Sequence, residues 1–213
     1  MKRIFMSAVL FSLTATHTLA DDAKALKEKL ASLNSLSSEF SQQVFDPEGE
    51  LVSESNGQLQ LEQPRKIRWQ QQTPDETLFV SNGVDSYYFD PFAEQVTLLD
   101  TAKLIDNTPF ILLTTDDEQL WQKFTITAIE HGFAVKPISK EQGQVEQLSL
   151  YFNEQEQISA LEVTDQSGQR SKFEFKDAQI NNDIDDGRFE FTIPEQVFID
   201  DQREQRGSQL SGE

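Results

Sequence analysis

The sequence contains no cysteine. That absence removes disulfide frameworks, thiolate metal ligands, cysteine nucleophiles and lipid attachment at a thiol. Histidine is nearly absent too, with only His17 and His131 in 213 residues. Zinc therefore finds no ligand set, and a Ser-His-Asp triad would have to rest on His131, with no Gly-x-Ser-x-Gly elbow beside it. His131 precedes Gly132 in a turn pattern and reads as a surface turn residue. Basic residues are scarce: Lys plus Arg number 18 against 37 Asp plus Glu, for a net charge of −19. Phosphate neutralisation needs a basic face, so no nucleic-acid partner is expected. The nine glycines sit mainly at turns, and none of them builds a phosphate cradle. No run reaches the roughly 18 apolar residues that span a bilayer, so the chain is not expected to be an integral membrane protein.

What is present is a core-forming composition behind an export signal. Sixteen Phe and two Trp exceed what an acidic disordered chain carries. Lys2 and Arg3 form a basic start, Ile4 to Ala15 is mostly apolar, and Thr18-Leu19-Ala20 places small residues at −3 and −1 of a cleavage site. Residues 1–20 are therefore expected to be a signal peptide cleaved after Ala20. Its removal takes away Lys2 and Arg3 but no acid, moving the net charge to −21. Such charge keeps a chain soluble and weakens adhesion to anionic lipid. A bacterial periplasm suits the short signal. The acidic loop Asn181 to Gly187 lacks the spacing and twelfth-position glutamate of an EF-hand, so it reads as a connection and not a calcium site. No metal or other cofactor is expected. With 37 acids, counting carboxylate pairs locates no hydrolase site. An enzyme is not expected, and a carboxylate-based hydrolase would reveal itself by one indispensable acidic pair.

Two patterns organise the rest. Leu26, Leu30 and Leu33 recur at helical spacing and predict an amphipathic helix over 22–37, with Asp21 or Asp22 capping its start. A weaker helical region over 101–121 is broken at Pro109, which lacks an amide hydrogen. Elsewhere apolar residues alternate with polar ones: Phe40 and Val44, Leu59 and Leu61, Ile67 and Trp69, Phe173 and Phe175, and the runs 76–81, 86–90, 95–99, 124–129, 133–137, 145–152 and 158–164. Turn signals separate them at Asn82-Gly83, Asp90-Pro91, His131-Gly132 and Gln166-Ser167-Gly168. The expected fold is mainly β (α+β): one antiparallel meander of about eleven strands, curled into an incomplete barrel, with a helical lid over its open apolar side. The domain is placed at 21–203. The chain from about Asp201 is expected to fray, with 204–213 a polar, disordered tail.

Four segments in order carry a family resemblance: Gln63-Pro64-Arg65-Lys66-Ile67-Arg68-Trp69, Asp90-Pro91-Phe92-Ala93-Glu94-Gln95, Asn107-Thr108-Pro109-Phe110 and Asp200-Asp201-Gln202-Arg203. Thr73-Pro74-Asp75-Glu76 fits between the first two. Together, behind a signal peptide and an amphipathic helix, they resemble the periplasmic outer-membrane lipoprotein carriers, the LolA family.

That resemblance implies a non-enzymatic, monomeric chaperone with a lidded half-barrel. It implies a cargo of lipoprotein acyl chains released by an inner-membrane ABC transporter and delivered to an outer-membrane receptor that is itself a lipoprotein. The lack of a cysteine after the signal fits the carrier and not that receptor. By the same resemblance Ile67, Trp69 and Phe79 belong to the cavity, and Phe110, Ile111 and Leu113 to the lid segment, with Leu30 and Leu33 facing the same space. Ordinary core packing is the competing role for Leu30, Leu33 and Leu113. The family usually has arginine before the proline of the first segment, where it holds lid carbonyls; here that residue is Gln63. Arg65, with the parity of Ile67 and Trp69, is the expected substitute latch, together with Gln63. The alternative function is a lipid- or lipoprotein-sensing module on the same fold.

Overall fold

The computed structural model describes residues 19–101, 109–115, 117–139 and 145–203, with side chains from Asp21 onward except those of 109–111. Residues 1–18 of the expected signal, the 204–213 tail and the side chains of Phe110 and Ile111 lie outside the described residues.

Alternation of apolar and polar residues produces strands wherever it was read. They are β1 (Ser35–Phe45), β2 (Leu51–Glu62), β3 (Lys66–Thr73), β4 (Thr77–Asn82), β5 (Asp85–Asp90), β6 (Gln95–Asp100), β7 (Phe124–Ile129), β8 (Gly132–Pro137), β9 (Val145–Phe152), β10 (Ile158–Asp165), β11 (Arg170–Ile180) and β12 (Phe198–Asp201). All twelve join one sheet in the order β12-β6-β5-β4-β3-β2-β1-β11-β10-β9-β8-β7. The single meander expected from sequence is thus two, β1–β6 and β7–β11, joined where β1 pairs antiparallel with β11. Alternation reports which face a residue takes, not which strand lies beside it, so this long-range pairing was not legible. The edge strands β12 and β7 do not meet, and the barrel stays open.

Three local expectations change. Helix α1 runs Leu19–Ala31, so the helix predicted to 37 stops early. The Ser32 hydroxyl donates to the Lys29 carbonyl at 2.9 Å and the Leu33 amide to the Leu30 carbonyl at 3.0 Å, closing the last turn. Leu36 and Phe40 fit either period, and pairing decides: Leu36 lies between Leu61 and Ile180 on the flanking strands. Asp21 and Asp22 fall inside the first turn of α1 and do not cap it; the Asp22 carboxylate instead accepts the Ala128 amide of β7 at 2.9 Å. At the other end Asp201 belongs to β12, which lies parallel to β6, and the Arg203 guanidinium binds Asp201 and Asp85. Residues 201–203 thus carry strand pairing and side-chain bonds at the point from which fraying was expected. The region around Pro109 forms a 3₁₀ turn, Pro109–Thr114, and a short helix α2, Glu118–Trp121, whose start is capped by the Asp117 side chain.

The sheet has apolar residues on both faces, each covered by different material. The concave face carries the main core, which includes Phe40, Leu59, Leu61, Ile67, Leu148, Leu150, Leu161 and Phe173. On the convex face of β4–β6, Val80, Val96 and Leu98 are buried, and the chain at Phe189–Phe191 lies over them; the Phe191 ring is 5.4 Å from Tyr87 and 5.8 Å from Phe89. Gly57 opposes Phe40 in the β1–β2 register. A Cβ there would come within 2.0 Å of the Gln70 carbonyl oxygen and 2.8 Å of the Phe40 ring, so only glycine admits this approach.

Candidate functional site

The concave face is the candidate site, and cross-strand register builds it. Leu61 opposes Ile67, Leu59 opposes Trp69, and Trp69 opposes Phe79, which in turn opposes Tyr88. On the other flank Phe173 opposes Leu161, Leu161 opposes Leu150, and Leu150 opposes Phe133. Residues directly opposite share a face, so one apolar surface crosses both meanders. Its centre is aromatic: the Trp69 ring lies 4.4 Å from Phe40 and 5.0 Å from Phe173.

A helical cover fills this concavity. α1 contributes Leu26 and Leu30, the connection after it Leu33, the 3₁₀ turn Leu112 and Leu113, and α2 Trp121; all six are buried in the same cluster as the sheet residues. The cover's apolar burial, at about 1.5–3 kcal/mol per large side chain, outweighs its polar ties. Lys27 pairs with Glu118 at 2.7 Å, joining α1 to α2, and Lys29 pairs with Glu156 at 2.9 Å. Both carboxylates are largely exposed, and pairs of that kind contribute about 0–1 kcal/mol each. The Trp121 indole donates to the Thr115 carbonyl at 3.1 Å, leaving its N–H satisfied in the core.

The sequence-named residues fall around this arrangement as follows. Leu30, Leu33, Ile67 and Leu113 are buried, while Trp69 and Phe79 are partly buried and packed against the same cluster. Gln63 and Arg65 occupy the β2–β3 turn, beneath the cover. The Gln63 side-chain amide donates to the Leu30 carbonyl at 3.4 Å. Arg65 has φ 62°, outside strand geometry, so it does not share the strand parity of Ile67 and Trp69 that the sequence pattern gave it. Its backbone amide donates to the Thr114 carbonyl at 3.0 Å, and its guanidinium reaches Asp117 at 3.4 Å. The Arg65 carbonyl accepts from the Ser81 hydroxyl at 3.0 Å, and Ser81 joins Thr101 and Ser86 in a buried hydroxyl cluster. The backbone of Arg65 is thus held from the sheet on one side and tied to the lid on the other.

Sequence reasoning did not name Leu112, Trp121, Phe40 or Phe173 as site residues, although each stands on the face that alternation or helical spacing marks as apolar. It also missed Asp117, whose carboxylate accepts from the Gln119 amide at 2.9 Å while facing Arg65. The acidic 181–187 loop is structural: Asn181 accepts from the Asn34 amide and donates to the Ser32 carbonyl, both at 2.8 Å, clamping the end of α1. Among the described residues no group of acids and histidine is placed to hold a metal. No described helix is long and apolar enough to cross a membrane.

Comparison with known proteins adds an independent observation. The family model described as outer membrane lipoprotein carrier protein LolA matches residues 31–192. An outer-membrane lipoprotein carrier protein from Pseudoalteromonas translucida is 52% identical over 195 residues, covering 91% of this chain and 94% of that protein. Another of the same description from Psychromonas ingrahamii is 39% identical over 203 residues, covering 94% of this chain and 98% of that one. A solved LolA superfamily protein from Nitrosomonas europaea is 11% identical, with a TM-score of 0.47, covering 80% of this chain and 98% of that chain.

Proposed function

Because the chain belongs to the LolA family of outer-membrane lipoprotein carriers, we propose that it is a periplasmic chaperone that shields lipoprotein acyl chains on its concave face. It is exported by a signal cleaved after Ala20, works as a monomer without cofactor, and catalyses no reaction. An inner-membrane ABC transporter loads it, and an outer-membrane receptor unloads it.

The observation that carries this reading is the closure of a continuous apolar face by short helices that bury large apolar side chains against it and whose ion pairs are exposed. Burying a methylene is favourable by about 0.8 kcal/mol, so three acyl chains of roughly 45 methylenes represent on the order of 35 kcal/mol against water. Free transit is negligible, and a carrier must supply equivalent apolar cover. Six large lid side chains represent on the order of 10 kcal/mol of the same kind of burial. Cargo can therefore displace the lid, and the returning lid repays part of what release costs. Exchange of apolar cover needs no chemistry.

In this reading Leu30, Leu33, Ile67, Trp69, Phe79, Phe110, Ile111 and Leu113 form cavity and lid. Gln63 and Arg65 form the latch, Gln63 through Leu30 and Arg65 through Thr114 and Asp117. The test is release of triacylated lipoprotein from transporter proteoliposomes supplied with ATP and the mature chain. A soluble one-to-one complex is expected, and Trp69→Glu or Phe110→Glu should weaken it. Saturable binding of a free lipid without lipoprotein release would instead support a sensing module.

A further inference from the structure

Three hydroxyls are buried where the sheet would otherwise bury carbon. Ser81 of β4 and Ser86 of β5 lie opposite one another, and Thr101 follows β6; all three are buried. Ser81 also opposes Ile67, so the group stands on the concave face, beside the turn through which Arg65 meets the lid. An apolar side chain at such a position gains from burial, whereas a hydroxyl costs free energy there unless it is hydrogen-bonded. These three bond to one another: Ser81 Oγ lies 3.1 Å from Thr101 Oγ1, which lies 2.9 Å from Ser86 Oγ.

Counting protons gives the chain of hydroxyls a direction. Each hydroxyl has one proton to donate. That of Ser81 goes to the Arg65 carbonyl at 3.0 Å, since a carbonyl oxygen can only accept. Ser81 Oγ then accepts the Gly83 amide at 3.2 Å and the Thr101 hydroxyl. The Thr101 proton is thereby committed, so Ser86 donates to Thr101. The relay runs from Ser86 through Thr101 and Ser81 to the Arg65 carbonyl, and each bond polarises the next. At its end Arg65 has φ 62°, a left-handed conformation that persists in a non-glycine residue only where its surroundings hold it. In that conformation its amide donates to the Thr114 carbonyl of the lid at 3.0 Å. The neighbouring turn is packed to match. Gly83, at φ 93°, lies against Pro64, whose carbonyl oxygen a Cβ would meet at 3.2 Å.

We propose that this relay, more than the Arg65 guanidinium, sets the latch: Ser81, Thr101 and Ser86 are positioning residues that fix the backbone of Arg65 so that its amide meets the lid at Thr114. The inference rests on the carrier reading above, in which the bond to Thr114 is one that cargo entry breaks. The guanidinium contact to Asp117 is part-exposed and 3.4 Å long, whereas the three relay side chains are shielded from water. A latch built on backbone needs no arginine before Pro64, where this chain has Gln63.

Amide exchange and stopped-flow uptake of the fluorescent fatty acid cis-parinarate test this on the mature chain. Thr101→Val keeps the shape of the side chain and removes its hydroxyl, so Ser81 loses a donor and Ser86 its acceptor. The Arg65 amide should then exchange about two- to tenfold faster, the equivalent of one hydrogen bond, and uptake should quicken by a similar factor. The Leu59 and Leu61 amides of β2 should change less. Thr101→Ser restores the hydroxyl and should return the residue-65 amide to its unsubstituted protection, and Arg65→Leu should leave that amide protected. Ser86→Ala, at the outer end, should move it less than Ser81→Ala; this pair carries the test if Thr101→Val does not fold. Unchanged exchange at Arg65 in Thr101→Val overturns the proposal. So does equal acceleration at Leu59 and Leu61, which marks a general loss of stability, absence of rescue by serine, uptake that does not follow the amide, or the reverse order of the two serine variants. An unsubstituted chain that neither takes up parinarate nor releases lipoprotein sinks the carrier reading instead, while the relay is judged on the residue-65 amide alone.

Discussion

At the scale of single residues, burial and exposure divide the aromatic side chains into two groups. Trp69 packs against Phe40 and Phe173 with ring separations of 4.4 and 5.0 Å, geometry in which aromatic pairs add to their burial. Phe92 touches solvent on nearly every side. Charged residues divide in the same way. Lys66 bridges Glu62 at 2.7 Å and Asp186 at 2.6 Å, fastening the convex cover, and its ammonium is held above the ordinary lysine range chiefly by the bond to Asp186. Asp201 has its pKa lowered to about 2, chiefly by the Arg203 guanidinium and then by the Arg203 amide. A carboxylate whose pKa falls on folding contributes stability that is present above its ordinary range and lost as pH drops through the folded value. The contribution of the Asp201–Arg203 pair should therefore fall progressively as pH drops below the ordinary aspartate range and be lost at about pH 2. Carboxyl-detected NMR titration should place the Asp201 midpoint there in the intact chain, and Arg203→Ala should return it to the ordinary aspartate range. An unshifted midpoint in the intact chain would show that the pair does not form in solution.

At the scale of elements, the lid is a set of short pieces whose closure depends on the sheet beneath. A four-residue helix such as α2 has no stability of its own and forms where Trp121 is buried and Asp117 caps it. Arg65 reaches that cap, so Arg65→Leu should loosen the lid by no more than about 1 kcal/mol, the range for a part-exposed pair. Stopped-flow parinarate uptake should accelerate about two- to fivefold, the rate equivalent of such a loss. The backbone tie from Arg65 to Thr114 survives the substitution, which is why the effect is small. An unchanged rate would remove the guanidinium from the latch. The sheet side of this site was legible in sequence: Ile67 and Trp69 show their face by alternation alone, and the strand runs fell where the strands lie. The lid was less so. Leu33 and Leu36 fit a helix that in fact ended at Ala31, because tertiary pairing with β2 and β11 outweighed helical spacing. Arg65 took its expected parity from neighbours in β3, but a turn with positive φ breaks that count. The β1–β11 junction left no local trace at all, being a contact between residues far apart in the chain.

At the scale of the whole molecule, the twelve-stranded sheet is a frame with two unequal coverings. The convex covering of β4–β6 adds ring contacts from Phe191 and ion pairs from Lys66, and nothing in the carrier reading asks it to move. The concave covering is apolar burial with weak polar ties, and cargo offers burial of the same kind in larger amount. Amide exchange should separate the two. In the empty chain, amides of α1 and of 109–121 should already exchange faster than those of β1–β3, since a lid held by side-chain burial opens below the global unfolding free energy. On binding a triacylated lipoprotein, protection should fall further across 109–121 and at Leu30 and Leu33. It should stay level in β1, β2 and β11, whose backbone bonds the cargo does not touch. The 184–191 cover should not change either, because it lies on the opposite face. A rise of protection across the lid on loading would mean that cargo binds beneath an intact cover, and the exchange of one apolar cover for another would be the wrong account of how this carrier lets go.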